Sequence, residues 1–236
     1  MCACLVFCPL TLRAQDFTVT AQVNLSREGS APGNKKNRSN VVVWLTALDD
    51  HRGLQPISHE TPVHPPRLVQ KNKRFEPHVL VVPAGTAVEF PNRDPFFHNV
   101  FSLFEGKRFD LGLYEAGTMR LVRFDRAGVS YIFCNIHPEM SAVVVALKTP
   151  YFSLSDAAGK IAIPHVPPGR YSMQVWAEGA SADNLKGLGR EVVISSSEHS
   201  LGAVRITEDS PPGPHKNKYG RDYDAAGADY PPTEPK

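Results

Sequence analysis

Four side chains with donor atoms for a soft metal ion are found at two places in this sequence. Cys134, His137 and Met140 stand within seven residues, and a second histidine, His98, stands well upstream. Thiolate and thioether sulfur suit Cu(I), whereas imidazole nitrogen binds both oxidation states of copper. Two imidazoles, one thiolate and one weak thioether form the ligand set of mononuclear blue copper sites. The residue types therefore predict one copper ion that changes its oxidation state by one electron.

Each of these residues also has an ordinary structural interpretation. Cys134 is then a buried, inert thiol, His137 a turn residue and Met140 a core side chain. Zinc is a second alternative, because cysteine and histidine are its usual ligands, but structural zinc sites rarely recruit methionine. The joint spacing of the four residues favours copper over both alternatives.

Short strands joined by turns must bring these two places together. The 21 prolines and 17 glycines interrupt the chain often, and no segment has a helical apolar stripe over three turns. Because one predicted strand (98–104) begins with His98 and another (129–134) ends with Cys134, these two must adjoin. Further strands are predicted at residues 17–25, 41–48, 78–82, 86–90, 119–124, 141–147, 160–163, 170–176, 190–194 and 201–206. The pattern is typical of an all-β protein with a sandwich architecture.

The spacing Cys134-x2-His137-x2-Met140, with His98-Asn99 upstream, resembles that of the cupredoxins. The short loop is most similar to that of amicyanin, and the resemblance covers roughly residues 67–148. Residues 107–112 and 134–137 are also similar to bacterial proteins labelled "methylamine utilization protein". The fold that the resemblance implies is a cupredoxin Greek-key β-sandwich.

The cupredoxin resemblance implies a role for each member of the site. His98, Cys134 and His137 are the implied equatorial ligands of one type 1 copper ion, and Met140 is the implied axial ligand. Such sites are coordinatively closed and carry electrons without transforming a substrate. The resemblance therefore implies a carrier of single electrons, with an unidentified redox protein as its partner and no enzyme activity.

Two neighbours of the ligands are implied to support them. Asn99 pins the ligand loop near the cysteine sulfur through its backbone and its amide, and Pro138 stiffens that loop. His137 is implied to face solvent and to pass electrons to the partner. Four phenylalanines near the first histidine are candidates for an apolar rim, with core packing as the alternative: Phe96, Phe97, Phe101 and Phe104.

A second β-sandwich is expected outside the cupredoxin-like region. Residues 155–161 and 166–176 resemble the carboxypeptidase regulatory-like, transthyretin-type sandwich, in which an earlier strand pair precedes this segment. The strands predicted at 17–25 and 41–48 match that pair. We therefore expect residues 16–50 and 150–207 to form one small structural or docking sandwich, with the cupredoxin inserted. The alternative is an extended N-terminal arm followed by an independent module.

The two ends of the chain have distinct compositions. Residues 1–15 contain a short apolar run before Leu12-Arg13-Ala14 and predict a signal peptide, and hence a periplasmic or otherwise extracytoplasmic protein. Its removal leaves Cys134 as the one remaining cysteine. Residues 208–236 are rich in Pro, Gly, Asp and Lys and predict a disordered tail.

Other classes of function find little support in the sequence. The net charge of +2 gives no electrostatic footprint for nucleic acid, and no apolar run is long enough to span a membrane. Neither a nucleophile triad nor a phosphate-binding loop is recognisable. The basic cluster at 71–74 is predicted to be a solvated loop. The alternative is that it attracts an acidic redox partner. A non-redox copper protein for storage, sensing or delivery stays open, as does an interaction module with a vestigial site.

Overall fold

The structure of the chain, a computed structural model, describes residues 16–27, 37–49, 64–103, 106–209 and 215–223. The signal peptide predicted for residues 1–15 lies outside the described residues. Within the described residues the regular structure is almost entirely β, which confirms the predicted fold class.

The strands and the one short helix of the described residues are β1 (Phe17–Arg27), β2 (Val42–Ala47), β3 (Val69–Lys71), β4 (Arg74–Glu76), β5 (Val79–Pro83), β6 (Thr86–Pro91), β7 (His98–Ser102), β8 (Phe109–Tyr114), β9 (Met119–Phe124), β10 (Gly128–Cys134), β11 (Ser141–Leu147), β12 (Phe152–Leu154), β13 (Lys160–Val166), β14 (Gly169–Trp176), α1 (Ala182–Gly187), β15 (Arg190–Ile194) and β16 (Ser200–Glu208). Four of these strands, β3, β4, β8 and β12, lie where none was predicted. The basic cluster at 71–74 is the mostly exposed tip of the β3–β4 hairpin, with Lys71 and Arg74 in the strands and the turn between them.

Residues 67–147 form one sandwich. Its larger sheet has the strand order β5-β11-β10-β7-β8, and the strand pairs β6-β9 and β3-β4 lie opposite. A parallel bridge between Gln70 and Asn92 joins β3 to the end of β6. The buried core between the layers includes Phe90, Ile132 and Val144, and it also contains Cys134. The cysteine therefore lies in the core of this sandwich.

Alternation along β10 explains why Cys134 points inward. Ser130, Ile132 and Cys134 are buried, whereas the residues between them are only half-buried. Because successive side chains of a strand point to opposite faces, the same period of two that buries Ile132 also buries Cys134. Burial of a side chain the size of Ile132 contributes about 2 kcal/mol, which opposes a shift of one residue in the register.

The two N-terminal strands pair with strands that follow residue 150. β1 lies between β13 and β16, and β2 lies between β12 and β14 in the order β12-β2-β14-β15. The two sheets enclose a second apolar core that includes Val19, Leu45, Ile161 and Met173. The chain therefore contains a second β-sandwich, to which both ends of the described chain contribute strands.

An apolar layer joins the two sandwiches through β11. Val144 of β11 faces the core that contains Cys134, whereas Val143 and Val145 pack with Val42 of β2 and Trp176 of β14. Both faces of β11 are therefore buried, which explains its uninterrupted apolar sequence from residue 142 to 147. The sheet that carries the cysteine thus has an apolar core on one face and the second sandwich on the other.

One polar contact crosses the same boundary. His78 precedes β5, and its Nε2 lies 2.6 Å from Oε2 of Glu178, which follows β14. Its Nδ1 lies 3.2 Å from the carbonyl oxygen of Ser141. The hydrogen bond with the Glu178 carboxylate raises the pKa of His78 above its ordinary value of 6.5, against the opposing effect of burial.

The stability of the protein should depend on pH through this pair. A histidine with a raised pKa in the folded state stabilises the fold fully below its unfolded pKa of 6.5, and this contribution is lost as the pH rises through the folded value. Wild type and Glu178→Gln should therefore differ most in melting temperature at about pH 6, and the difference should shrink as the pH rises above 6.5 and through the folded pKa of His78. Because the side chains are partly exposed, the effect should stay below about 1 kcal/mol. A difference that does not vary with pH contradicts this assignment.

We propose that the sandwich of residues 67–148 is inserted into the one formed by residues 16–50 and 150–207. After proteolytic nicking at engineered sites within residues 50–63 and after Lys148, the fragment with β1 and β2 should co-elute with the fragment that begins at β12. The reason is that β1 and β2 each lie between two strands of that fragment. Size-exclusion chromatography followed by mass spectrometry checks this result. Free separation of the two outer fragments supports the alternative of an N-terminal arm and an independent module.

Candidate metal centre

The register between β7 and β10 brings the two distant parts of the site together. Cys134 lies opposite Val100, and Phe133 lies opposite Phe101, in an antiparallel pair. His98, two residues before Val100, shares a face of β7 with it. The imidazole at the start of β7 therefore reaches the cysteine at the end of β10, as the sequence pattern requires.

The donor atoms of His98, Cys134 and His137 converge. The cysteine Sγ lies 3.6 Å from Nδ1 of His98 and 3.5 Å from Nδ1 of His137. All three donor atoms lie within 4.8 Å of one another. A metal with bonds of about 2.0 Å to nitrogen and about 2.3 Å to sulfur, at trigonal angles, separates nitrogen and sulfur by about 3.7 Å. The spacing of the three atoms therefore fits one shared metal ion.

Burial favours the metal-binding form of the two histidines but not that of the cysteine. Desolvation, and after it the neighbouring His98, lower the pKa of His137 to about 4. Desolvation also lowers the pKa of His98, so both imidazoles are neutral and their nitrogen lone pairs are available. The thiol of Cys134 has a raised pKa because it is buried, although backbone N–H groups of the loop oppose this. A metal ion would take the place of the thiol proton.

Backbone hydrogen bonds close the loop that carries three of the four predicted ligands. The Cys134 N–H donates to the carbonyl oxygen of Met140 at 3.2 Å, and the Met140 N–H donates to that of His137 at 3.1 Å. The Met140 side chain is fully buried in the same apolar core as Cys134. The loop therefore returns on itself, and its backbone brings Met140 to the cysteine.

The two predicted supporting residues differ in what they contact. The carbonyl oxygen of Asn99 accepts the Asn135 N–H at 2.8 Å, directly after the cysteine. The amide of Asn99, which was expected to hold the loop, instead donates to Oδ1 of Asp110 at 2.6 Å. Pro138 is exposed in the turn between His137 and Met140. Stiffening of the loop by Pro138 stays a prediction.

A buried carboxylate, which the sequence interpretation missed, orients the first histidine. Oδ2 of Asp94 lies 2.9 Å from Nε2 of His98, and Asp94 is only 4% exposed. Since Nδ1 faces the sulfur, the Nε2–H of a neutral His98 donates to this carboxylate. A carboxylate that binds the far nitrogen of a metal-ligating histidine fixes its tautomer and makes it a stronger donor.

The β3–β4 hairpin holds this carboxylate in place. The backbone N–H groups of Asn72 and Lys73 donate to its two oxygens at 2.5 and 3.0 Å. Both residues have positive φ angles, 54° and 53°, as in the two-residue turns that favour asparagine. Asp94 lies in a segment that looks like an ordinary turn. The sequence marks it only by its position, an acidic residue four places before His98.

Aromatic packing leaves His137 less exposed than the cupredoxin resemblance implied. His137 is only 6% exposed, so at most an edge of its imidazole reaches the surface, and its role in passing electrons to a partner stays a prediction. The half-buried ring of Phe96 lies 5.3 Å from the His98 ring and 5.4 Å from the His137 ring. Phe101 instead packs in the core, and Phe104 lies outside the described residues. Of the four, Phe96 is therefore the one seen to pack beside both imidazoles among the described residues, and Phe97 is half-buried.

Comparisons with known proteins give similarities to solved structures only. No family model and no curated protein matches this sequence. A purple cupredoxin from Nitrosopumilus maritimus is similar with a TM-score of 0.32 and 23% identity, over 35% of this chain and 99% of that chain. A mutant amicyanin with Cu(I) is similar with a TM-score of 0.34 and 21% identity, over 35% of this chain and 82% of that chain.

A third similarity is to a copper-containing nitrite reductase from Thermus scotoductus SA-01. Its TM-score is 0.35 and its identity 24%, over 43% of this chain and 27% of that chain. Similarities of this extent assign no function to the chain. Among the described residues, no helix has the length and apolar character needed to cross a membrane.

Replacement of the buried carboxylate should weaken the metal site while the fold remains. In Asp94→Asn the amide keeps the size of the side chain but removes its charge, so His98 becomes a weaker donor. We expect copper affinity to fall by about tenfold or more, and the reduction potential to rise because Cu(II) loses more stabilisation than Cu(I). Competition with a chelator and voltammetry measure these two quantities.

Asp156→Asn is the matched control for this replacement. Asp156 also accepts two backbone N–H groups in a turn, at 2.9 and 2.8 Å, but it lies in the second sandwich. Its replacement should leave both quantities unchanged. Equal affinities and potentials in the two variants would contradict the role given to Asp94.

Proposed function

We propose that this chain is a type 1 (blue) copper protein that carries single electrons between redox partners. The observation that carries the proposal is the convergence of two Nδ1 atoms on the buried sulfur of Cys134, at 3.6 and 3.5 Å. We propose His98, Cys134 and His137 as equatorial ligands and Met140 as the axial ligand. Bound copper would supply the one-electron chemistry, and the protein would supply the cavity.

The donor set supports copper more than zinc. A buried thiolate and a buried methionine side chain beside two imidazoles combine soft and intermediate donors, which suit both oxidation states of copper. Structural zinc sites use four cysteine or histidine ligands, and the cluster found among the described residues has three such residues. Met140, buried in the same core, supplies the kind of fourth donor that copper accepts.

Rigidity of the surrounding residues supports electron transfer as the function. The Asn99 carbonyl oxygen, the Asp94 carboxylate and the return of the loop to Met140 each fix one donor through a hydrogen bond. Because Cys134 and His98 have no exposed surface, water has little access to the donor atoms. A dry and fixed site needs little rearrangement when the charge of the metal changes by one.

A non-redox copper protein for storage, sensing or delivery is the second candidate. Metal exchange between proteins is easiest at an exposed site, and burial of all three donors disfavours it here. A vestigial site is the third candidate, and the complete set of four donors argues against it.

The proposal also includes export by a leader in residues 1–15, no enzyme activity and an unidentified protein partner. The exposed turn at Pro138 and Glu139, beside His137, is the proposed point of approach for that partner.

Copper loading of the purified protein tests the proposal. With Cu(II), wild type should give an intense visible charge-transfer band, an EPR spectrum with narrow copper hyperfine splitting and reversible one-electron voltammetry. Cys134→Ser should abolish the band because the charge transfer starts from the cysteine sulfur. Asp156→Asn, which changes a turn of the second sandwich, is the control and should keep the colour. A colourless or redox-silent Cu(II) complex of wild type would instead support the non-redox candidate.

A further inference from the structure

A segment near the C-terminus lies against the strand end that carries Cys134. Residues 215–223 belong to the tail expected to be disordered, yet the structure describes them in contact with residues 110 and 133–135. These contacts span more than 80 positions of sequence separation. The segment therefore reaches the metal centre from a part of the chain that contributes no ligand.

The most direct of these contacts is made by Tyr223. Its hydroxyl group donates to the carbonyl oxygen of Cys134 at 2.6 Å. The same hydroxyl oxygen lies 3.1 Å from Nδ1 of His215, which also lies 3.1 Å from the Lys216 carbonyl oxygen. If Nδ1 of His215 carries the proton, the hydroxyl can accept from it while it donates to Cys134. His215 then orients the hydroxyl group that donates to the cysteine carbonyl oxygen.

Lys218 contacts the residue that follows the cysteine. Its backbone N–H donates to Oδ1 of Asn135 at 2.9 Å. Its ammonium group lies 2.8 Å from Oδ2 of Asp110, whose other oxygen accepts the amide of Asn99. Lys218 is therefore linked to the metal centre by two routes. One is its direct hydrogen bond to Asn135, and the other runs through Asp110 to Asn99, whose carbonyl oxygen accepts the Asn135 N–H.

A stacked ring pair completes the contact. The imidazole of His215 lies 4.2 Å from the ring of Phe133 at an interplanar angle of 26°. Phe133 immediately precedes Cys134, and its ring is also 5.9 Å from that of Phe101 in β7. The segment thus contacts three consecutive residues, from Phe133 to Asn135, on the outer side of the site.

We propose that residues 215–223 form a strap that completes the metal centre by fixing the backbone around Cys134 from outside. This inference rests on the proposed function and adds positioning residues to it. The inner side of the ligand loop is held by Asn99 and Met140, and the strap holds the outer side through Tyr223 and Lys218. The position of the sulfur relative to the imidazoles depends on both sides.

Tyr223→Phe tests the strap because it removes one hydroxyl group. The positive end of that hydroxyl points at a carbonyl group next to the thiolate, and it favours the electron-rich reduced site. We expect a lower reduction potential, a changed EPR hyperfine splitting and about tenfold faster loss of copper to a chelator. Tyr171→Phe is the matched control, since it removes a hydroxyl group that donates to the Pro167 carbonyl oxygen at 2.9 Å in the second sandwich, and its copper site should behave as in wild type.

A measurement without metal separates this inference from the proposed function. In metal-free protein, the backbone N–H of Asn135 should exchange its hydrogen about tenfold faster in Tyr223→Phe than in Tyr171→Phe. Lys218→Met should act in the same direction, with a melting temperature close to that of wild type. Equal exchange rates in all three variants would overturn the strap, whatever the copper spectra are. Wild type without a charge-transfer band would overturn the proposed function, but faster exchange would still support the strap.

Discussion

The antiparallel register of β7 and β10 is the constraint on which the rest of the site depends. With Cys134 opposite Val100, the start of one strand and the end of the other share a face of the sheet, and His98 reaches the sulfur. A relative shift of one residue would place Cys134 on the face of the sheet opposite to that of His98. Burial of Ile132 and Val100 opposes that shift, so ordinary core packing sets the distance between two donor atoms.

Each donor within this register is held by a partner from a different part of the chain. The β3–β4 turn holds Asp94, which holds the His98 imidazole. The carbonyl oxygen of Asn99 holds the loop directly after the cysteine. These supports are polar groups in an apolar surrounding, where an unpaired group costs more than a hydrogen bond contributes. That asymmetry makes the arrangement specific, because losing any partner leaves another group unpaired.

How much the sequence predicted depends on how local each feature is. Cys134, His137 and Met140 are close in the chain, so their spacing alone indicated a loop with converging donors. The alternation along β10 and the uninterrupted apolar run of β11 are local too, and both strands were predicted. Asp94 and Tyr223 were missed because their roles exist only once distant segments fold together. The low exposure of His137 was not predicted because neighbouring side chains such as Phe96 set it, and a motif does not contain them.

The apolar layer between the sandwiches bears on the site through the energetics of burial. A thiol and two imidazoles in a core cost stability in the metal-free protein, since apolar side chains of the same size would pack without polar groups to satisfy. β11 lies next to β10, and its second face is covered by Val42 and Trp176, which adds apolar burial to the sheet that carries the cysteine. This burial offsets part of the cost, and metal binding would offset more because it favours the folded state. The second sandwich therefore contributes to the stability of the sheet that carries the cysteine, although none of the described donor residues belongs to it.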